Sequence, residues 1–343
     1  MKNILITGAA GFIGSHITDL FCKQGYNPIC FIKNSTDKSF IKDLPITVKY
    51  GNILDYDKLY NALENVHCVI HVAALTRDWG SYEDFYNINV HGTMKVLKAG
   101  VAQGVRQFVV IGSISSYGEE NSNKIKDENA PYNAHYPYFL DSVFPCKMNY
   151  YRDTKSLSTK MAIEFAESNE INLTVIEPVW VYGEREFHSG FYEYMKMVRS
   201  GMLLLPGCKL NNFHVVYVRD LAKAIYKAFS KNIPGTHRFI IGNKQSERMD
   251  RIFQLFCKEM GKTKPMNISK SVIYPIGFLM ELAYTILGMK HAPALTRARV
   301  NMFYDNIEYN CEKARKELAY TNEYSIEEGI RSTVDWYKKR KLI

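Results

Sequence analysis

The chain has 343 residues, 46% of them hydrophobic, with 44 lysines and arginines against 35 acidic residues and a formal charge of +9. That length and apolar content can bury a substantial core, and a two-lobed enzyme is the natural reading of the size. The lysines are spread along the sequence with no RNA- or DNA-binding signature, so no nucleic-acid partner is expected, while the Lys338-Lys339-Arg340-Lys341 tail adds at most a weak attraction to a membrane surface.

The chain opens with the apolar run Lys2-Asn3-Ile4-Leu5-Ile6, which leaves no room for a signal peptide and points to a cytoplasmic protein. Seven cysteines, odd in number and never paired as CxxC, fit a reduced chain without disulfides or zinc; His71, His188 and His214 lack ligand spacing, so no metal site is expected. After the first strand comes Thr7-Gly8-Ala9-Ala10-Gly11-Phe12-Ile13-Gly14 and then apolar residues at helical spacing. A strand, a glycine-rich turn and a helix make a cradle for a dinucleotide pyrophosphate: Gly8 for the tight turn, Gly11 for close approach of the phosphate, Gly14 for packing of the helix on the strand. The N–H groups and the positive end of the helix then face the anion, with Phe12 and Ile13 in its first turn.

Further strands are expected over 27–33, 47–50, 66–73, 106–112 and 172–177, and helices over 57–65, 82–103 and 151–169. This alternation reads as an α/β fold, a doubly wound parallel (Rossmann) sheet that binds ligand at the carboxyl ends of its strands. Residues 1–178 form that dinucleotide-binding domain. Beyond Pro178 the pattern becomes mainly helical, so 179–343 form a smaller substrate lobe, with strands returning within about 213–242. Tyr151 and Lys155 stand at i and i+4 of one predicted helix, where a phenol and an ammonium can address one ligand. The ammonium favours the phenolate, which makes the pair a usable acid/base near neutral pH. Tyr150 has Thr154 at i+4 and no such partner.

With these two motifs and what lies between them, the sequence resembles the extended short-chain dehydrogenase/reductase (NAD-dependent epimerase/dehydratase) family over nearly its whole length. His71-Val72-Ala73-Ala74 is similar to the family's HxAA segment beside the cofactor, and Asn89-Val90-His91-Gly92-Thr93 to its NxxGT helix start. In Gly112-Ser113-Ile114-Ser115-Ser116-Tyr117-Gly118 the resemblance assigns the catalytic hydroxyl to Ser113; it also implies that Tyr151 moves the hydroxyl proton and that Lys155 lowers the tyrosine pKa and holds the nicotinamide ribose. Glu177-Pro178-Val179-Trp180-Val181-Tyr182-Gly183 resembles the segment that closes over the nicotinamide, with Glu177 in place of the usual Arg; Pro178 and Val181 are its expected contacts. Asp220 resembles the acid that supports the junction of the lobes.

The end of the second strand bears on cofactor choice. Ile32 occupies the slot where NAD-preferring relatives place an acid, and Lys33 follows, which favours NADP(H) over NAD(H). Asn52, with Ile53 beside it, replaces the family's adenine-contacting Asp and can still accept from the amino group. For the substrate, the acid pair that dehydratase relatives carry after the catalytic hydroxyl is here Ile114 and Ser115, and the phosphate-gripping Arg common in epimerases is absent from Leu210-Asn211-Asn212-Phe213-His214. The stretch before Tyr151 is rich in Tyr132, Tyr136, Tyr138, Phe139, Phe144 and Met148, either an apolar substrate wall or lobe packing. The apolar segment 272–288 reads either as a buried lobe helix or as one that faces lipid or gates substrate; together with Pro293-Ala294-Leu295-Thr296-Arg297, Ala314-Arg315-Lys316-Glu317-Leu318 and Ser325-Ile326-Glu327-Glu328-Gly329-Ile330 it resembles the 3β-hydroxysteroid dehydrogenase and dihydroflavonol-reductase-like branch. The expected activity is hydride transfer between nicotinamide and a secondary alcohol or ketone of an apolar or cyclic small molecule. The alternatives are a nucleotide-sugar epimerase or 4-keto reductase, and, from another class, a catalytically silent dinucleotide-sensing protein. The resemblance allows a homodimer.

Overall fold

The computed structural model describes residues 2–118, 125–187, 190–202, 211–263 and 266–343, and the backbone of 204–205. Seven strands, β1 Ile4–Thr7, β2 Ile29–Ile32, β3 Thr47–Tyr50, β4 Cys68–His71, β5 Gln107–Ile111, β6 Asn172–Pro178 and β7 Thr236–Ile241, form one sheet in the order β7-β6-β5-β4-β1-β2-β3. Every pairing in it is parallel. The fold is a doubly wound α/β sheet, and its order reverses between β1 and β4, which opens a ligand crevice at the carboxyl ends of those strands.

Alternation along each strand sends side chains to the two faces. Ile4, Ile6, Cys30, Cys68, Ile70 and Val109 bury themselves against α1 Phe12–Lys23 and the later helix Val218–Lys231, while Leu5, Phe31, Val69, Phe108 and Val110 pack on the helices Tyr56–Ala62 and Thr93–Ala102 and on the long helix Lys147–Ser168. In chain order these helices are α2 (Tyr56–Ala62), α3 (Thr93–Ala102) and α4 (Lys147–Ser168). They are followed by α5 Gly190–Arg199, α6 Val218–Lys231, α7 Met249–Glu259, α8 Lys270–Ile286 and α9 Arg297–Tyr304. Since both faces are covered, the strands read as continuous apolar runs.

Two expected elements differ. The single helix over 82–103 is divided: a short α-turn at Tyr82–Phe85, a π-helical turn at Tyr86–Gly92 and then α3. The expected return strand at 213–218 is broken at His214, whose Nε2 bonds the Asn243 carbonyl while its Nδ1 accepts from the Tyr309 N–H. Residues Val215–Tyr217 pair instead with Trp180–Tyr182 in a separate two-stranded ladder, and Val218 already begins α6. Among the described residues beyond Pro178, only β7 returns to the main sheet.

Candidate active site

The sheet gathers the motif residues because each follows the carboxyl end of a strand. After β1, Gly8 sits at φ +67°, and a Cβ there would lie 2.8 Å from the Ala73 nitrogen after β4. A Cβ on Gly14 would lie 2.1 Å from the Gly8 carbonyl oxygen, so both positions must be bare. Gly11 donates to the Gly8 carbonyl at 3.0 Å and starts α1 without a capping side chain, which leaves the first-turn N–H groups of Phe12, Ile13 and Gly14 directed at the crevice. This bare cradle at a helix N-terminus fits a dinucleotide pyrophosphate. His71 fastens the cradle from behind: it is buried, bonded to Thr7 Oγ1 at 2.7 Å and Thr93 Oγ1 at 3.0 Å, and burial lowers its pKa to about 3, so it is a neutral strut. Thr7 Oγ1 in turn accepts from the N–H groups of Val72 and Ala73, which fixes the path into Ala74.

At the far side of the crevice Lys33 is exposed just past β2, and its carbonyl accepts from the Thr36 N–H in a turn. Ile32 points into the core. Asn52 Oδ1 accepts from the Leu54 N–H, Lys95 Nζ bonds the Leu54 carbonyl, and Ile53 is buried against Gly92. The Asn89 side chain, on the π-helical turn, is spent inside the protein: its Oδ1 accepts from the Leu75 N–H at 2.8 Å, and its Nδ2 donates to the Leu75 carbonyl and to Thr154 Oγ1. It thus ties the segment after Ala74 to α4.

Ser113, two residues past β5, caps a 3₁₀ turn, its Oγ accepting from the Ser115 N–H at 3.2 Å and from Ser115 Oγ at 2.8 Å. Tyr151 and Lys155 lie on α4, which packs on the same turn. Lys155 Nζ donates to the Ile111 carbonyl, the last of β5, at 2.6 Å. The Ser113 hydroxyl and the Lys155 ammonium are thereby brought to one strand end, and Tyr151 stands one helical turn before Lys155 on α4. Burial lowers the Lys155 pKa to about 8, with the Glu177 carboxylate opposing that shift, so the ammonium still holds its proton near neutral pH.

Glu177, which replaces an expected arginine, is fully buried, and burial raises its pKa. Its carboxylate accepts from Tyr117 Oη at 2.6 Å and from Tyr132 Oη, and pairs with Arg238 Nε at 3.4 Å; Arg238 also donates to Tyr117 Oη. The cation therefore comes from the neighbouring strand β7 rather than from β6. The parallel register of β6 and β7 sets Ile240 opposite Glu177 and Arg238 two residues earlier on the same face, a relation that requires knowing that those strands pair. Pro178 closes β6, and Val181 stands in the short ladder beyond it. Asp220, buried in the first turn of α6, accepts from the N–H groups of Glu323 and Tyr324 and so holds the C-terminal segment.

The aromatic stretch before Tyr151 divides. Tyr132 joins the Glu177 network; Tyr136 and Tyr138 meet with centroids 4.6 Å apart and rings tilted by 44°, each with the Arg152 guanidinium over its ring; Phe139 and Phe144 pack on Phe278 of α8. Met148 lies partly buried beside Tyr138 and Cys146. Three cations considered for a diphosphate each have another partner: Lys196 pairs with Glu193, Arg199 donates to the Leu342 carbonyl, and Arg185 lies over the Phe40 ring. His188, Cys208 and Leu210 lie outside the described residues.

The sequence profile of the NAD dependent epimerase/dehydratase family matches residues 4–242. A 2-alkyl-3-oxoalkanoate reductase of Stenotrophomonas maltophilia is 25% identical over 335 residues, 96% of this chain and 97% of that protein. An N-acetyl-alpha-D-glucosaminyl-diphospho-ditrans,octacis-undecaprenol 4-epimerase of Escherichia coli O157:H7 is 26% identical over 341 residues, 97% of this chain and 95% of that protein. The solved dTDP-glucose 4,6-dehydratase of Bacillus anthracis, in complex with NAD, superposes with a TM-score of 0.77 at 21% identity, covering 99% of this chain and 98% of its own, a likeness of fold.

Proposed function

Because the chain belongs to the NAD dependent epimerase/dehydratase family and is an extended short-chain dehydrogenase/reductase-type enzyme, we propose that it interconverts a secondary alcohol and a ketone on an apolar or cyclic substrate, with NADP(H) preferred over NAD(H). The observation that carries this reading is the fastening of Lys155 to the last carbonyl of β5, beside Ser113 and one helical turn from Tyr151. When bound, the dinucleotide supplies or accepts the hydride. Gly8, Gly11, Phe12, Ile13 and Gly14 hold its pyrophosphate; Lys33, Asn52 and Ile53 flank its adenosine end; Ala73, Ala74, Asn89, Pro178 and Val181 wall its path to Lys155. Tyr151 Oη moves the hydroxyl proton, the charge of Lys155 stabilises the phenolate, and Ser113 Oγ hydrogen-bonds the substrate oxygen where alkoxide charge develops. In this reading residues 1–178 with β7 bind the cofactor, and most of 179–343 binds the substrate.

The preference for NADP(H) rests on Lys33, exposed at the end of β2 with no acid in the preceding slot. The apolar substrate is supported by Ile114 and Ser115 after Ser113, by the separate partners that Lys196, Arg199 and Arg185 already have, and by the relative that is a 2-alkyl-3-oxoalkanoate reductase. The relative that is a 4-epimerase of a diphosphate-linked sugar supports the second reading, a nucleotide-sugar epimerase or 4-keto reductase. Assaying NADPH oxidation with acyl-chain, sterol and flavonoid-like ketones, alongside UDP-, GDP- and dTDP-sugars, separates them; saturable epimerisation or 4-keto reduction of a nucleotide sugar selects the second. Tyr151→Phe should keep cofactor binding and lower turnover by about 10² to 10⁴-fold. Turnover within threefold of the parent refutes the catalytic assignment.

A further inference from the structure

Helix α8 (Lys270–Ile286) carries an apolar face outward. Val272, Pro275, Ile276, Leu279, Ala283, Ile286 and Leu287, spaced along one side of the helix, are all exposed, with Leu279 at 60%, Ile286 at 74% and Leu287 at 72%. The opposite side is the one that docks: Ile273 packs on Val300 and Tyr304 of α9, and Gly277 lies so close that a Cβ there would sit 3.1 Å from Val300. Beside the stripe, Phe139, Leu140 and Val143 are also exposed, and Phe139 and Phe144 contact Phe278 edge-on. The patch is held rigidly. Glu281 and Arg297, both fully buried, pair at 2.9 Å, and Arg297 also donates to the carbonyls of Phe139 and Phe144, locking the loop to α8. Single exposed apolar residues are ordinary, but a continuous rigid patch marks an interface.

The charges around the patch identify what it meets. Between Lys270 and Lys290 the only charged side chain is Glu281, which is buried and neutralised by Arg297. Lys270, paired with the buried Asp305 at 3.1 Å, stands at one end of the stripe, and exposed Lys290 lies just beyond the other, where the Met289 carbonyl accepts from Trp79 Nε1 and Lys147 lies over the Trp79 ring. A second copy of the chain docked on this face by a two-fold axis would bring Lys290 no available acid, because the carboxylates of Glu281, Asp305 and Asp141 are already held by Arg297, Lys270 and His135. An anionic lipid surface satisfies both the stripe and Lys290, and the chain as a whole is positive by nine. Among the described residues no helix is long and apolar enough to cross a membrane. We propose that α8 and the 139–143 loop seat the protein on the surface of an anionic bilayer, with the apolar side chains in the headgroup boundary and Lys290 on the phosphates. A recess of about 480 Å³ lined by Lys270, Ser271, Tyr274, Pro275 and Asn301 opens at the N-terminal end of the stripe and would then face the lipid. The proposal does not depend on which carbonyl compound the enzyme reduces.

The test is flotation of the full-length protein with vesicles of phosphatidylcholine alone and of phosphatidylcholine with 30% phosphatidylglycerol. Binding should require the anionic lipid and fall with salt. Leu279→Ser with Ile286→Ser should weaken it about tenfold or more, and Lys290→Glu about fivefold, with thermal unfolding and NADPH binding as in the parent, because these side chains are already in water. Failure of the parent to float with anionic vesicles overturns the proposal. So does a parent dimer in light scattering that the double serine variant converts to monomer, which would assign the face to a second copy.

Discussion

At the carboxyl ends of β1, β4 and β5, Gly8, Ala73, Ala74 and Ser113 each stand within three positions of their own strand, whereas the face made by α8 and the loop before α4 joins groups 158 and 153 residues apart through Arg297. The cleft is positioned by backbone geometry: strand ends, bare glycines, a helix N-terminus. The lobe face is positioned by one buried ion pair and the carbonyls it collects. A cleft of the first kind tolerates changes in side-chain chemistry but not a single added carbon. A face of the second kind tolerates most surface changes and depends on one cation.

Removing that cation should give the largest effect on stability. Arg297→Met leaves the Glu281 carboxylate buried without a partner, a loss of about 3–5 kcal/mol, whereas Arg297→Met with Glu281→Leu should recover most of it. Urea unfolding measures both. NADPH affinity of the folded single variant should stay near that of the parent, since nothing in the cleft touches the pair; a parallel loss of cofactor binding would show the two regions to be one unit. Gly14→Ala tests the other side. Its Cβ would lie 2.1 Å from the Gly8 carbonyl oxygen, a backbone atom that cannot swing away, so a destabilisation of about 3 kcal/mol is expected together with weakened cofactor binding. A variant that binds NADPH like the parent would mean that α1 can slide on β1.

The same contrast governs what the sequence could reveal. The sheet, its strand ends and the glycine turn were legible because periodicity and glycine spacing are local, whereas Ser113 was singled out by resemblance and Lys155 by its spacing from Tyr151; the three stand after β1 (Gly8), after β5 (Ser113) and on α4 (Lys155). Glu177 was legible only as a departure. Its partner Arg238 stands 61 residues further on, and nothing short of the pairing of β6 with β7 shows that the charge has been exchanged between strands. The division of the 82–103 helix was hidden for a similar reason: the π-helical turn holds Asn89, whose amide reaches Leu75 and Thr154, contacts that helical periodicity does not encode. For segment 272–288, an apolar run does not say which side is covered, and the outward stripe appears only once α9 is seen to take the other.

Lys33→Asp sharpens the comparison at the exposed rim of the cleft, where chemistry rather than shape should matter. Replacing a donor to the 2′-phosphate by a like charge should reduce NADPH affinity by about 1.5 to 3 kcal/mol and leave NADH affinity nearly unchanged. Titration of both cofactors against both proteins decides it; equal losses, or a parent that already prefers NADH, refute the preference for NADP(H).

The smallest expected effect lies between the two regions. His135, on the loop before α4, bonds Asp153 through Nδ1 and Asp141 through Nε2, each at 2.9 Å, and so clasps the loop to the helix two residues beyond Tyr151. The hydrogen bond to Asp153 is the main cause of its raised pKa, with the charges of both carboxylates adding to it against partial burial. A histidine whose folded pKa is raised contributes stability that is fully present below its unfolded value, about 6.5, and is lost as the pH rises through the folded value. Since the imidazole is largely exposed, the contribution is that of a screened surface pair, about 0.2–1 kcal/mol. The unfolding free energy of His135→Ala should therefore fall below the parent's by more at pH 5.5 than at pH 8.5. A gap that is equal at the two pH values would mean that the clasp holds through the neutral ring, and one that widens on the alkaline side would reverse the assigned sign.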